Sequence, residues 1–364
     1  MSEPLPESPP SDIVWNITRY IIVAAVTIGL FWYYFFSTPV NYESQEHTGK
    51  TMGTDYVVKV SRFPENVEWS EMTTIIQSRL NALEEMMSSH RHGSEVSRFN
   101  ASTDTNDWFR VSSEVARVVD EAQKIAKLTG GAFDITIAPL VTHWGFGVHA
   151  GHRQNRSFEE LRSSALQIKE YTGYEKLEVR LDPPALKKAI PELEIDLSGI
   201  AKGFAVDCIA ELLEYRNITD YLIEVGGEVR AQGKRGNDLD KHWLVGIEKP
   251  TKDFTGLQQS FPLHDQSLAT SGNYHQSAMI GTQRISHIID PRSGLPTEWN
   301  EGVPSLASVA VLASSGTQAD AWATAMFVLG EEQGLEFARH REMAVLFLLL
   351  NGDEVSEVSS PHWP

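Results

Sequence analysis

Two oxygen-bearing residues near the end of the chain are spaced for joint chemistry. Asp320 and Thr324 lie four apart in QADAWATAMFVLG (318–330). Apolar spacing predicts a helix over 318–329, so both side chains leave one helix face. A carboxylate with a hydroxyl suits a hard cation such as Mg²⁺ more than zinc. The same pair also fits an aspartate capping its own helix beside a satisfied threonine. A second cluster is DLSGIAKG (196–203), where a strand-like stretch turns into a helix. There Lys202 and the free N–H groups of a helix start can hold a diphosphate, and Gly199 can bring a carbonyl close. The plainer reading is an ordinary helix start with a solvated lysine. Gly226-Gly227-Glu228 permits close backbone approach to a ligand, or equally a plain turn. Histidine titrates near neutrality, which suits His287 in ISHIIDPRSG (285–294) to proton transfer, although a lone histidine among strand residues also fits a structural role. His143, His149 and His152 are irregularly spaced and lack an acidic partner nearby, a weak case for a metal site. Walker A, HExxH, GxGxxG and serine-hydrolase motifs are absent.

A mixed set of elements must position these residues. Residues 55–60 read as a strand and 69–87 carry helical periodicity. Residues 111–128 read as an amphipathic helix that Gly130-Gly131 stops. Further strands are expected at 177–181, 190–197, 221–225, 242–247, 306–313 and 343–350, with another helix at 200–214. Strands and helices mingle without even βαβ spacing, which predicts an α+β fold rather than a doubly wound one.

The 364 residues are 41% hydrophobic and 22% charged, a globular composition that excludes wholesale disorder. With 49 acidic against 31 basic residues, the net charge of -18 repels nucleic acid and anionic lipid in bulk, while a local basic pocket can still hold a phosphate. The single cysteine, Cys208, excludes an intramolecular disulfide and a cysteine-based zinc or iron–sulfur site. Residues 20–42 hold no charge, and 17–36 match the roughly 20 residues of a membrane-spanning helix. Trp15 at one end and Trp32, Tyr33 and Tyr34 at the other suit interfacial anchors. A cleaved signal peptide normally has a basic start and a small-residue cleavage site, and neither is present. The expected organisation is a tail (1–16), a transmembrane anchor (17–36), a tether (37–50), one catalytic domain with up to two subdomains (51–356) and a loose tail (357–364).

Eight blocks, taken in order, resemble the ApbE family of FAD:protein FMN transferases. They are TMGT (51–54), SEVSRFN (94–100), TGGAFDITIAPLVTHWGFG (129–147), DLSGIAKGFAVD (196–207), EVGGEVRAQG (224–233), LATSGNY (268–274), SHIIDPRSGLP (286–296) and ADAWATAMFVLG (319–330). The resemblance implies an ApbE-like fold with Mg²⁺ held by Asp320, Thr324 and the Gly199 carbonyl. It implies FAD contacts from Met52, Ala132, Phe133, Asp134, Asp196, Lys202 and Ile288, with Gly226, Gly227 and Glu228 beside them. His90 stands where family members often carry a tyrosine near the flavin. His287 falls at a histidine important for transfer, and its near-neutral titration is the ground for inferring that it acts as the base. The implied reaction attaches FMN through a phosphoester to a threonine or serine of an acceptor redox protein and releases AMP. Acceptors would be subunits of sodium-pumping quinone reductase or Rnf-type complexes. The implied location is the bacterial inner membrane, single-pass, with the catalytic domain in the periplasm. Rival readings are a metal-dependent FAD pyrophosphatase and a flavin-binding scaffold without catalysis.

Overall fold

The computed structural model describes residues 26–28, 44–64, 67–147, 156–236, 241–250, 256–273, 277–281, 283–297 and 304–364. Met1–Tyr42 and Glu43–Pro364 are separate compact units, and the second carries everything that follows.

Eight strands form the main sheet: β1 (Gln45–Thr51), β2 (Thr54–Val60), β3 (Tyr221–Val225), β4 (Glu228–Gln232), β5 (Gln266–Gly272), β6 (Ser305–Ala313), β7 (Ala344–Asn351) and β8 (Glu354–Ser359). They pair in that order, each antiparallel to its neighbours. Strand side chains alternate between faces, and here both faces are covered. Tyr221, Ile223 and Val225 pack into the cluster under the helices, while Leu222 enters the cluster on the other face. Val345 and Phe347 part from Leu346 and Leu348 in the same way. Burial on both sides explains why these strands read as continuous apolar runs.

Four helices matter for the site: α1 (Trp69–Met87), α2 (Ser113–Leu128), α3 (Ala201–Tyr215) and α4 (Gly316–His340). The apolar stripe Met72, Ile76, Leu80, Leu83 and Met87 fixes the buried face of α1. Ser112 caps α2, its hydroxyl accepting from Val115 N–H at 3.3 Å. The chain departs from helical geometry at Gly330, where the expected helix ends, and α4 resumes beyond it to His340.

Helices α3 and α4 meet at two glycines. A Cβ on Gly203 would collide with the Gly316 carbonyl, so only glycine permits the approach. Each helix lends an aspartate to the other's first turn. Asp207 of α3 accepts from Gly316 N–H at 2.7 Å and Thr317 N–H at 2.8 Å, and Asp320 of α4 accepts from Gly203 N–H at 2.9 Å. N–H groups that lack an intrahelical partner are thereby satisfied across the contact.

Several expectations are corrected. A membrane-spanning helix needs about 20 consecutive, mostly apolar residues, and among the described residues no helix is long and apolar enough to cross a membrane. Of residues 17–36 only 26–28 are described, as helix, and the others lie outside the described residues. The transmembrane anchor is withdrawn, and with it the single-pass inner-membrane placement and the periplasmic domain that rested on it. The end of the expected tether is the strand β1, and residues 1–16 and 37–43 lie outside the described residues. Residues 190–197 form no strand: the Asn100 side chain binds Ile195 N–H at 2.8 Å and its carbonyl at 2.9 Å, taking the place of a neighbouring strand. The end of the chain is not loose, since β8 reaches Ser359, Ser360 is buried and Trp363 Nε1 donates to Gln259 Oε1 at 3.0 Å.

Candidate active site

A cleft of about 1550 Å³ opens between the helix starts, the sheet and the loop after β5. Three tight turns bring backbone to its wall. Met52 sits in the turn between β1 and β2 at φ 50°, and its N–H donates to Glu84 of α1 at 3.1 Å. Gly226 and Gly227 join β3 to β4 at φ 58° and 95°, a turn that favours glycine. A Cβ on Gly226 would come within 2.6 Å of Thr54 Cγ2. Gly130 and Gly131, at φ 59° and 82°, end α2 and swing Ala132, Phe133 and Asp134 into the cleft. Asp196 N–H donates to the Ile135 carbonyl at 2.7 Å, which sets the 132–135 segment beside the start of α3.

The floor comes from α3, α4 and β5. Thr324 Oγ1 lies 3.0 Å from Ser271 Oγ, and a Cβ on Gly199 would stand 3.2 Å from the same Thr324 oxygen. Asp320 is not the cap of its own helix; Ser315 is, accepting from Gln318 N–H at 3.2 Å. Burial pushes the Asp320 carboxyl above the usual carboxylate range, against the pull of Lys202 and the Gly203 N–H. Glu228 is 1% exposed, and its Oε2 meets Lys202 Nζ at 2.5 Å as an ion pair without hydrogen-bond alignment. Burial raises Glu228 strongly, with Lys202 opposing. For Lys202, burial favours the neutral amine, but the attraction of Glu228 and Asp320 outweighs it and raises the pKa. The lysine is therefore a held cation aimed at the cleft, not a solvated one.

Asp134 is buried and pushed up to about 6 by burial, although Thr136 donates to it from N–H at 2.8 Å and from Oγ1 at 2.7 Å. Asp196 accepts from Ser198 N–H at 2.8 Å. His287 is half-buried, with its ring 6.3 Å from that of Phe146, and the next residue, Ile288, is held by Thr297. Arg292 forks onto Asp290 with two contacts of 3.0 Å, which pins the turn after them.

The cleft thus gathers Met52, Ala132, Phe133, Asp134, Asp196, Gly199, Lys202, Gly226, Gly227, Glu228, His287, Ile288, Asp320 and Thr324. His90 is not among its lining residues; it lies exposed after α1, with its N–H on Ser88 Oγ at 3.1 Å. Among the described residues no group of three or more His, Cys, Asp or Glu could hold a metal ion, so the expected metal-binding character is not borne out by a side-chain cluster of that kind. His149 and His152 lie outside the described residues. Ser271 was not legible as a site residue, because only the packing of α4 on β5 puts it opposite Thr324.

The model of the ApbE family matches residues 52–347. A Haemophilus influenzae FAD:protein FMN transferase is 37% identical over 308 residues, covering 83% of this chain and 85% of the relative. The Escherichia coli K12 FAD:protein FMN transferase is 34% identical, covering 86% and 87%. Among solved structures, the flavin transferase ApbE from Vibrio cholerae superposes with a TM-score of 0.77 at 36% identity, covering 88% of this chain and 98% of that one. The chain belongs to the ApbE family.

Proposed function

We propose that this chain moves the FMN half of FAD onto a threonine or serine hydroxyl of an acceptor protein, with AMP as leaving group and Mg²⁺ required. By its likeness to these relatives the chain is an enzyme of the FAD:protein FMN transferase type, and FAD is its substrate. The observation that carries the proposal is the cleft floor, where Asp320, Thr324, Ser271 and the cation of Lys202 converge beside glycine turns.

Lys202 neutralises diphosphate charge, and Glu228 with Asp320 keeps it protonated and aimed. Gly226 and Gly227 let the backbone close on the phosphates. Asp320, Thr324 and the Gly199 carbonyl form an all-oxygen donor set beside the place of the diphosphate. That set fits Mg²⁺, which takes one or two carboxylates together with substrate phosphate oxygens rather than a full protein cage. Bound there, Mg²⁺ would withdraw charge from the phosphate oxygens as it develops. The acceptor oxygen bonds to the phosphorus on the FMN side, and the bond from that phosphorus to the bridging oxygen breaks. AMP keeps the bridging oxygen, and His287 takes the hydroxyl proton. The acceptor is a redox protein of the sodium-pumping quinone reductase or Rnf type that the family resemblance implies.

The test is intact-mass analysis of an acceptor domain after incubation with the protein, FAD and Mg²⁺. The expected gain is one FMN phosphoester, lost on chelation or on replacement of the acceptor threonine. Free FMN and AMP with an unmodified acceptor would mean that water, not a protein hydroxyl, is the nucleophile.

A further inference from the structure

Among the described residues the strand Trp243–Glu248 pairs on one side only, with Leu257–Leu263, and this hairpin is a two-stranded sheet separate from the main one. All 6 residues of the strand line the cleft, although successive side chains of a strand leave opposite faces. Consecutive lining residues mean that the cleft meets the backbone of the strand, whose edge away from Leu257–Leu263 pairs with no described strand.

Pro262 decides which groups reach that edge. It stands opposite Leu244 and has no N–H, so this pair exchanges no donor across the hairpin. Antiparallel pairs alternate between bonded and non-bonded. Val245, opposite Phe261, therefore bonds across the hairpin, while Leu244 and Gly246 turn their N–H and C=O outward along the cleft. Leu244 is 59% exposed. Ser44, Gln45 and Glu46, at the start of the outermost strand of the main sheet, also line the cleft. At about 1550 Å³, the whole cleft exceeds the roughly 300–1,000 Å³ that houses one small ligand. An exposed backbone edge inside such a cleft is a template for an added strand.

We propose that the cleft receives the acceptor protein as an extended segment, which adds to the edge of Trp243–Glu248 as a third strand and brings its hydroxyl to the floor. The inference rests on the transferase reading, in which a protein must enter the cleft that holds FAD. Main-chain bonds to Leu244 and Gly246 would set the register of the segment and leave its side chains to vary.

Leu244→Pro removes one outward N–H while sparing the hairpin ladder, because proline is tolerated where an edge N–H faces away from its partner strand. Leu244→Ala trims the same side chain and keeps the N–H. The expected result is at least a roughly tenfold lower kcat/KM for the acceptor domain in Leu244→Pro than in Leu244→Ala, expressed in KM, with equal FAD affinity by flavin fluorescence. Equal acceptor KM in the two variants would overturn the proposal. Should Leu244→Pro lose FAD binding through misfolding, amide hydrogen exchange of the unaltered protein decides. Saturating acceptor domain should slow exchange at Leu244 and Gly246, and unchanged exchange at both overturns the strand addition. An unaltered protein that transfers no FMN to any hydroxyl would instead overturn the transferase reading, and this inference with it.

Discussion

Helices α3 and α4 exchange aspartates across one glycine contact, yet the two exchanges differ in what they leave over. On the far side Asp207 is filled. It takes N–H groups from Gly316 and Thr317 and the Thr317 hydroxyl at 2.6 Å, and Arg230 lies 3.4 Å away. On the cleft side Asp320 takes one N–H, from Gly203, and faces the floor that carries Lys202 and Thr324. The same capping physics operates at both ends. A saturated carboxylate contributes to the fold, whereas a buried one with oxygen capacity left over in a cleft is a candidate for chemistry.

Substitutions should separate the two ends. Asp320→Ala is expected to lower transfer roughly a thousandfold, the scale of losing an electrostatic stabiliser, while FAD affinity changes less than about tenfold. Single-turnover labelling and flavin titration check this, and near-normal labelling would erase the contrast. Asp207→Ala should instead cost about 2–3 kcal/mol of stability in urea unfolding, with transfer per folded molecule within about threefold.

The buried Asp134 sharpens the comparison through pH. Its carboxyl titrates near 6 in the fold against 3.8 ordinarily. Between those values the native state holds the extra proton, so this group's contribution is complete below about pH 4 and is lost as pH rises through 6. Asp134→Asn should remove that loss. The stability of the variant relative to the unaltered protein should rise by roughly 2 kcal/mol from pH 4 to 7, and a fall over the same range would reverse the assignment. The smallest effect expected is from Ser271→Ala. It deprives the Thr324 hydroxyl of its partner and should slow transfer only about three- to tenfold, with unfolding midpoints unchanged as the check.

Local order was largely legible from the sequence. The periodicity of 69–87 gives α1, the run 221–225 gives β3, and the four-residue spacing of Asp320 and Thr324 puts both on the cleft. Contacts that join distant segments were not. The reciprocal aspartates depend on how α3 and α4 cross, and Ser271 depends on which strand lies under α4. The stretch 190–197 reads as a strand, and its Leu193, Ile195 and Leu197 are buried, but a sequence pattern carries no information on whether a strand or an asparagine side chain supplies the backbone partner. Trp363 looked like part of a tail because its partner Gln259 lies 104 residues away. His90 was placed by resemblance alone, and the turn after α1 carries it away from the cleft lining.

The most direct test of the account is the ratio of AMP released to FMN bound on the acceptor domain, followed through full turnover with Mg²⁺ and FAD. One AMP for each acceptor-bound FMN is the predicted result, with the flavin remaining on the acceptor after denaturation. AMP in excess, matched by free FMN in solution, would show that the cleft delivers the phosphorus to water and would contradict the account.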